Sequence, residues 1–225
     1  MCNPRENLIL QSYVPPCNLG SRAIAFNGKC GSTILSMNKE EIRRDMADRL
    51  RELSLSEREK HSKKICSYAQ KLIVSLKAKN VALYISTKSE VGIEKIIECR
   101  KARNINFYVP KVKNNKLIFI ELTKKTKFKL NKYNIFEPLT TKQTPISKID
   151  LFLTPLLAYD QKGRRLGKGG GYYDRTFKKA IFSPGYRRIR LVGIAFGIQK
   201  VKKVPTDLWD INLWALINEM GLTKH

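Results

Sequence analysis

The stretch of this 225-residue chain best equipped for chemistry spans residues 154–176, TPLLAYDQKGRRLGKGGGYYDRT. An apolar run ends near Thr154, and a loop with five glycines, Gly163, Gly167, Gly169, Gly170 and Gly171, leads toward a helical pattern. Glycine permits positive φ and lets successive backbone N–H groups face one way. Beside a helix N-terminus, such groups form a cradle for phosphate oxygens. Arg164, Arg165 and Lys168 add positive charge next to it. The loop matches neither standard nucleotide motif. A Walker A sequence has four residues between its first glycine and Gly-Lys, then Ser or Thr. Here three residues separate Gly163 from Gly167, and Gly169 follows Lys168. The dinucleotide pattern GxGxxG also fails, because Tyr172 or Asp174 stands where its third glycine is due. The competing reading is a flexible surface turn, and the tyrosines and acid that follow at once argue against it.

These residues need a framework, and helix and strand signals supply one. Asn38 with Glu41 reads as an N-cap and its N3 partner, opening a charged helix to about Leu53; Ser54 with Glu57 repeats the signature. In the second helix Ile65, Ala69, Leu72, Ile73 and Leu76 make one apolar stripe. Strand signals follow at 81–85, 105–109 (ended by Pro110), 117–122, 149–154, 189–196 and 214–217. Helical signals lie at 93–103 and 171–181. The alternation predicts a single-domain three-layer α/β sandwich, a mostly parallel sheet with helices on both faces and ligands at the carboxyl ends of the strands.

Composition narrows the function classes without naming one. Lys and Arg total 44 against 19 Asp and Glu, a net charge of +25, while 42% of residues are hydrophobic and 28% charged. That balance excludes a disordered chain, and no apolar window approaches the roughly 18 residues of a membrane span. The charge calls for an anionic partner of any kind. Five cysteines, Cys2, Cys17, Cys30, Cys66 and Cys99, form no CxxC pair, and His61 and His225 lie far apart. Reduced thiols in a cytoplasmic protein are expected, with neither a zinc site nor a disulfide framework. Residues 1–36 hold only Arg5, Arg22, Lys29 and Glu6 as charges and lack a secretory pattern; their low acid content would suit an organelle-targeting peptide, but three basic residues without an amphipathic arginine stripe argue against one. They read as a poorly ordered N-terminal extension ahead of a catalytic domain at 37–225.

The loop RLGKGGGYYDR resembles the signature of the 5-formyltetrahydrofolate cyclo-ligase family, and the resemblance extends over about residues 38–220. The Lys39/Arg43 helix start, LYISTKSEV, TPLLAYD, the glycine loop, VGIAFGIQ and VPTDLWD occur in the family's order. The resemblance implies an enzyme of α/β fold that uses ATP as co-substrate and Mg²⁺ as cofactor. ATP phosphorylates the formyl oxygen of 5-formyltetrahydrofolate, N10 closes on the activated carbon, and loss of phosphate leaves the 5,10-methenyl product. It assigns nucleotide binding to Lys39, Arg43, Arg165, Leu166, Gly167, Lys168, Gly169, Gly170, Gly171, Tyr172, Tyr173 and Asp174. Arg165 and Lys168 are the expected catalytic cations, and Asp174 and Asp210 the expected magnesium carboxylates. Glu90 and Tyr172 are expected on the folate, and whether a polyglutamylated folate is preferred stays open. Taken alone, Lys39 and Arg43 are an ordinary solvated pair, Asp174 a helix N-terminal acid, Asp210 a turn residue and Glu90 a capping acid.

Two other functions compete. A basic nucleic-acid-binding protein would use the +25 charge, but the lysines are scattered and no RNP-type, zinc-finger or helix-turn-helix pattern is present. A phosphotransferase of other specificity would use the loop. Departures from the family pattern are the 36-residue extension, the lysine load and Lys-Gly-Gly in mid-loop.

Overall fold

The fold is described from a computed structural model covering residues 37–98, 104–131, 135–182 and 189–225. The expected extension at 1–36 lies outside the described residues, as do four of the five cysteines. Helix α1 (Lys39–Glu52) starts on a reciprocal cap: Asn38 accepts from the N–H groups of Glu40 and Glu41, and Glu41 accepts from the N–H of Asn38. Helix α2 (Leu55–Ser75) starts the same way on Ser54 and Glu57. Each cap satisfies donors that the first helical turn leaves unpaired. Ile65, Ala69, Leu72 and Ile73 are buried with Ile42, Met46 and Leu50 of α1, and Leu76 packs half-buried beside them.

The chain continues through β1 (Asn80–Ala82), α3 (Glu94–Ile97), β2 (Asn106–Lys113), β3 (Lys116–Glu121), β4 (Phe128–Leu130) and β5 (Phe136–Pro138). It then forms β6 (Leu151–Pro155), β7 (Ala158–Tyr159), β8 (Arg165–Leu166), α4 (Tyr172–Phe182), β9 (Leu191–Ile194), β10 (Ala215–Asn218) and β11 (Gly221–Lys224). The main sheet has the order β11-β10-β9-β6-β1-β2-β3, parallel from β10 to β2 with an antiparallel strand at each edge. Strand alternation divides the core. Val81, Phe107, Leu151, Leu153, Val192 and Ile217 join the side chains of α1 to α3, whereas Ala82, Tyr108, Phe152, Leu191 and Leu216 face the other way. There Phe177 of α4 meets Phe152 edge-on at 4.8 Å and Phe119 at 6.2 Å. On the same face Gly193 lets Leu156 and Leu213 pack close against β9, because a Cβ there would lie 2.7 Å from each. The layered α/β arrangement expected from the alternation is therefore the one observed.

Two local readings differ, and a third falls partly outside the described residues. Pro110 does not end its strand, because β2 runs on to Lys113. Pro110 faces Phe119, whose carbonyl turns away to accept from Thr144 N–H, so the pair exchanges no ladder bonds and the missing proline N–H costs none. Of the helix expected over 93–103, the described residues form the turn α3, Glu94–Ile97, and residues 99–103 lie outside the described residues. The edge strand β11 and the small pairs β4–β5 and β7–β8 were not foreseen.

Candidate functional site

The carboxyl ends of the parallel strands gather the segments that carry chemistry. β6 ends at Pro155, and the next strands, β7 and β8, form a hairpin closed by the buried Asp160. That carboxylate accepts from the N–H groups of Lys162, Arg164 and Val204 and pairs with Arg164 Nε at 2.6 Å. Gly163, at φ +74°, makes the turn, where a Cβ would meet the His225 ring at 2.7 Å. Gly163 and Arg164 therefore belong to the hairpin, a correction to the sequence reading that placed them at the cradle. Leu166 also sits outside it: its side chain is in the core and its carbonyl accepts from Leu157 N–H.

The cradle proper is the exposed run from Gly167 to Gly170, turning through half-buried Gly171 into α4. Gly169 at φ +106° and Gly171 at +60° adopt backbone that other residues resist. The N–H groups of Gly169, Gly170 and Gly171 donate to no described residue. Arg43 reaches over from α1 and donates from Nε to the Gly167 carbonyl at 3.1 Å, while pairing with Glu40.

The other expected cations are paired as well. Lys39 Nζ lies 2.7 Å from Asp207 and 2.6 Å from Asp210. Burial by itself lowers the Lys39 pKa, but the hydrogen bonds and charges of these two acids outweigh it and hold the ammonium above its usual value. Lys39 and Arg43 thus leave α1 for different partners instead of facing one open space together. Arg165 is buried and donates twice to Asp174 Oδ1, at 2.9 and 3.1 Å, and once to the Ile211 carbonyl at 2.7 Å. Lys168 Nζ lies 2.8 Å from Glu90 Oε1, with Thr87 Oγ1 at 3.1 Å. Every expected site residue except Leu166 falls in this one constellation or on its rim.

The carboxylates suit an oxygen-liganded cation. Asp174 Oδ1 also accepts from Ile211 N–H, which brings α4 beside the turn that carries Asp207 and Asp210. Asp174 Oδ2 and Asp210 Oδ1 accept from no described donor, so each acid keeps one open oxygen. Among the described residues no set of three or more His, Cys, Asp or Glu converges as a closed protein cage. One or two carboxylates completed by phosphate oxygens and water is the arrangement magnesium favours.

The tyrosines divide the remaining work. Tyr172 lies under the Arg175 guanidinium at 5.2 Å, and a Cβ on Gly170 would strike its ring at 2.6 Å, so this ring supports the loop. Burial raises the Tyr173 pKa; a Thr154 hydrogen bond opposes the shift and the nearby Glu90 charge adds to it. Burial likewise raises that of Tyr84, whose hydroxyl donates to the Val91 carbonyl at 2.7 Å. Glu90 accepts from Thr87 N–H through Oε2. Gln199, the last residue of VGIAFGIQ, is buried and braces the carbonyls of Leu156 and Leu157. Sequence reasoning missed Arg175, which ties the loop to the β2–β3 turn. The signal available was a basic residue in the first turn of a helix, where the dipole disfavours it unless something else holds it.

Known proteins give the constellation a family. The sequence pattern of the 5-formyltetrahydrofolate cyclo-ligase family matches residues 35–219. The 5-formyltetrahydrofolate cyclo-ligase of Haemophilus influenzae is 31% identical over 190 residues, covering 81% of this chain and 98% of that protein. The solved structure of Aquifex aeolicus 5,10-methenyltetrahydrofolate synthetase superposes with a TM-score of 0.71 at 29% identity, over 84% of this chain and 93% of that one. A 5,10-methenyltetrahydrofolate synthetase from Mycoplasma pneumoniae gives 0.66 at 28%, over 81% and 99%. The match spans both capped helices, the glycine loop and the 207–210 turn, and by it this chain belongs to the 5-formyltetrahydrofolate cyclo-ligase family.

Proposed function

We propose that the chain converts 5-formyltetrahydrofolate to 5,10-methenyltetrahydrofolate with ATP, releasing ADP and phosphate. The formyl oxygen attacks the γ-phosphorus and ADP leaves; N10 then attacks the activated carbon and gives up its proton, and the C–O bond breaks to release phosphate, which can carry that proton away. The observation that carries this reading is the loop itself. Three successive glycine N–H groups without a described acceptor stand at a helix start, beside two acids that each keep an open oxygen.

The protein's task is positioning and charge balance rather than covalent catalysis. Gly169 to Gly171 would take phosphate oxygens, and Lys168 and Arg165 would face charge developing on the transferred group. Magnesium, held by Asp174 and Asp210, would supply further neutralisation of the phosphates. Glu90 would accept from the amino-pyrimidine edge of the pterin, with Tyr172 and Tyr173 framing the ring.

Catalysis is assigned to residues 37–225, and a chain beginning at Met37 should keep full turnover; loss of turnover would give residues 1–36 a role. No described helix is long and apolar enough to cross a membrane, and a cytoplasmic setting is part of the proposal. The deciding experiment incubates the protein with 5-formyltetrahydrofolate, ATP and Mg²⁺ and follows methenyl-folate absorbance against ADP. Equal amounts are expected. ADP formed only with another acceptor would make the protein a phosphotransferase of other specificity. Absent turnover with tight, salt-sensitive RNA binding would make it a nucleic-acid-binding protein. Repeating the assay with a polyglutamylated substrate reads tail preference directly as a change in KM.

A further inference from the structure

Two arginines hold the glycine loop by its carbonyls, one from each side. Arg43 takes the carbonyl of Gly167, and Arg175 takes that of Gly170 through Nη2. Arg175 is fixed at two further points. Its Nε donates to the Asn115 carbonyl at 2.8 Å, and its guanidinium lies 5.2 Å over the Tyr172 ring. Asn115 and Asn114 form the β2–β3 turn with φ of +58° and +48°, a tight left-handed pair whose carbonyl direction is set by the hairpin. Thr176 adds a parallel tie, because its hydroxyl accepts from Leu117 N–H and donates to the Tyr172 carbonyl.

The planarity of the peptide bond gives this clasp a consequence. The carbonyl of Gly170 and the N–H of Gly171 belong to one peptide plane and point in opposite directions. Fixing the carbonyl on Arg175 aims the Gly171 N–H away from Arg175. It also keeps a partly negative oxygen from turning into a space meant for phosphate. With no Cβ on either glycine, the plane is otherwise free to flip.

We propose that Arg175 is a positioning residue for nucleotide binding, presetting the Gly170–Gly171 peptide by tying it to the β2–β3 turn. The inference rests on the nucleotide reading of the loop. Arg175 touches neither substrate nor reacting atoms in this role. A lysine at 175 keeps charge over Tyr172 but lacks the fork that reaches two separate carbonyls.

The test uses the full chain with Arg175→Ala and Arg175→Lys. In Arg175→Ala the Kd for MgADP and the KM for ATP should rise about tenfold, while the KM for 5-formyltetrahydrofolate stays within about twofold. Arg175→Lys should fall between wild type and Arg175→Ala. Amide exchange of nucleotide-free protein should quicken at Gly169 to Gly171 in Arg175→Ala and stay unchanged around the buried Phe177. Unchanged nucleotide affinity in both variants overturns the proposal, and so does an equal rise of both KM values with a lowered Tm, which would mark a structural role alone. Should Arg175→Ala fail to fold, Arg175→Lys carries the same comparison. Wild-type protein that binds no MgADP defeats the nucleotide reading together with this one, whereas wild-type binding that ignores residue 175 defeats only this one.

Discussion

The two ends of strands β2 and β3 carry positive charge in different ways. Toward the carboxyl end of the parallel strands, Lys39, Arg43, Arg164, Arg165 and Lys168 each meet a carboxylate or a backbone carbonyl within the protein. Toward the opposite end, Lys125, Lys127 and Lys142 line a cavity of about 460 Å³ with Glu121 and Thr144, and none of the three forms an ion pair with a described residue. Net charge counts both groups equally. Structure does not: a cation held by a partner has a fixed position that a ligand can use, and a solvated lysine contributes mainly to the field around the protein. The +25 total is thus a sum of built and unbuilt charge.

Substitutions can test that contrast. The largest effect is expected at the acids of the site. Asp174→Asn and Asp210→Asn keep the shape and a hydrogen-bonding oxygen but remove the charge, and turnover with Mg²⁺ should fall by about 10²–10³. Circular dichroism should show intact folding, and near-wild-type turnover across a magnesium titration would remove these residues from the site. Next, Glu90→Gln releases Lys168 and weakens the expected pterin contact, so the KM for 5-formyltetrahydrofolate should rise about tenfold. A change confined to the KM for ATP would assign Glu90 to the loop alone.

A smaller effect concerns the dry layer beneath this end. Burial pushes the Cys66 thiol up to about 12 from its ordinary 9.0, and its Sγ contacts the Gly92 carbonyl. The native state therefore keeps this proton where the unfolded chain has lost it. Its stabilising share is complete below about pH 9 and declines as pH rises toward 12. Between those values Tm should fall more steeply for wild type than for Cys66→Ala; parallel curves would show that the thiol does not titrate on unfolding. The smallest effect belongs to the other end. Replacing Lys125, Lys127 and Lys142 together by Gln should leave turnover within about twofold and stability within about 0.5 kcal/mol per site. A marked loss of turnover would erase the distinction between the two ends.

What the sequence made legible follows the range of the interactions. Asn38 with Glu41 and Ser54 with Glu57 are local pairs three residues apart, and both caps form as read. The run of glycines before Tyr172 and the helix after it are local as well. Pro110 misled because its effect depends on which neighbour its nitrogen faces, a property of the partner strand. β7 and β8 have two residues each, too few to show any period. The pairing of Arg164 with Asp160 was hidden for the same reason, since nothing in GRR tells which arginine turns inward. The Lys39 contacts with Asp207 and Asp210 span most of the chain and leave no local trace.

The bond between Lys39 and Asp210 joins positions 171 residues apart. During synthesis, α1 and α2 can coil as soon as they emerge, because their caps lie within their own first turns. Lys39, however, must wait for the turn at 207–210, and Asp174 waits for the N–H of Ile211. Closing so long a loop is slow compared with local coiling. A chain ending in the 190s would lack the acids that hold Lys39, the Val204 N–H that Asp160 accepts from in the hairpin, and the Ile211 backbone that holds Arg165 and Asp174. Competence to turn over substrate should therefore arrive late and abruptly in the life of each molecule.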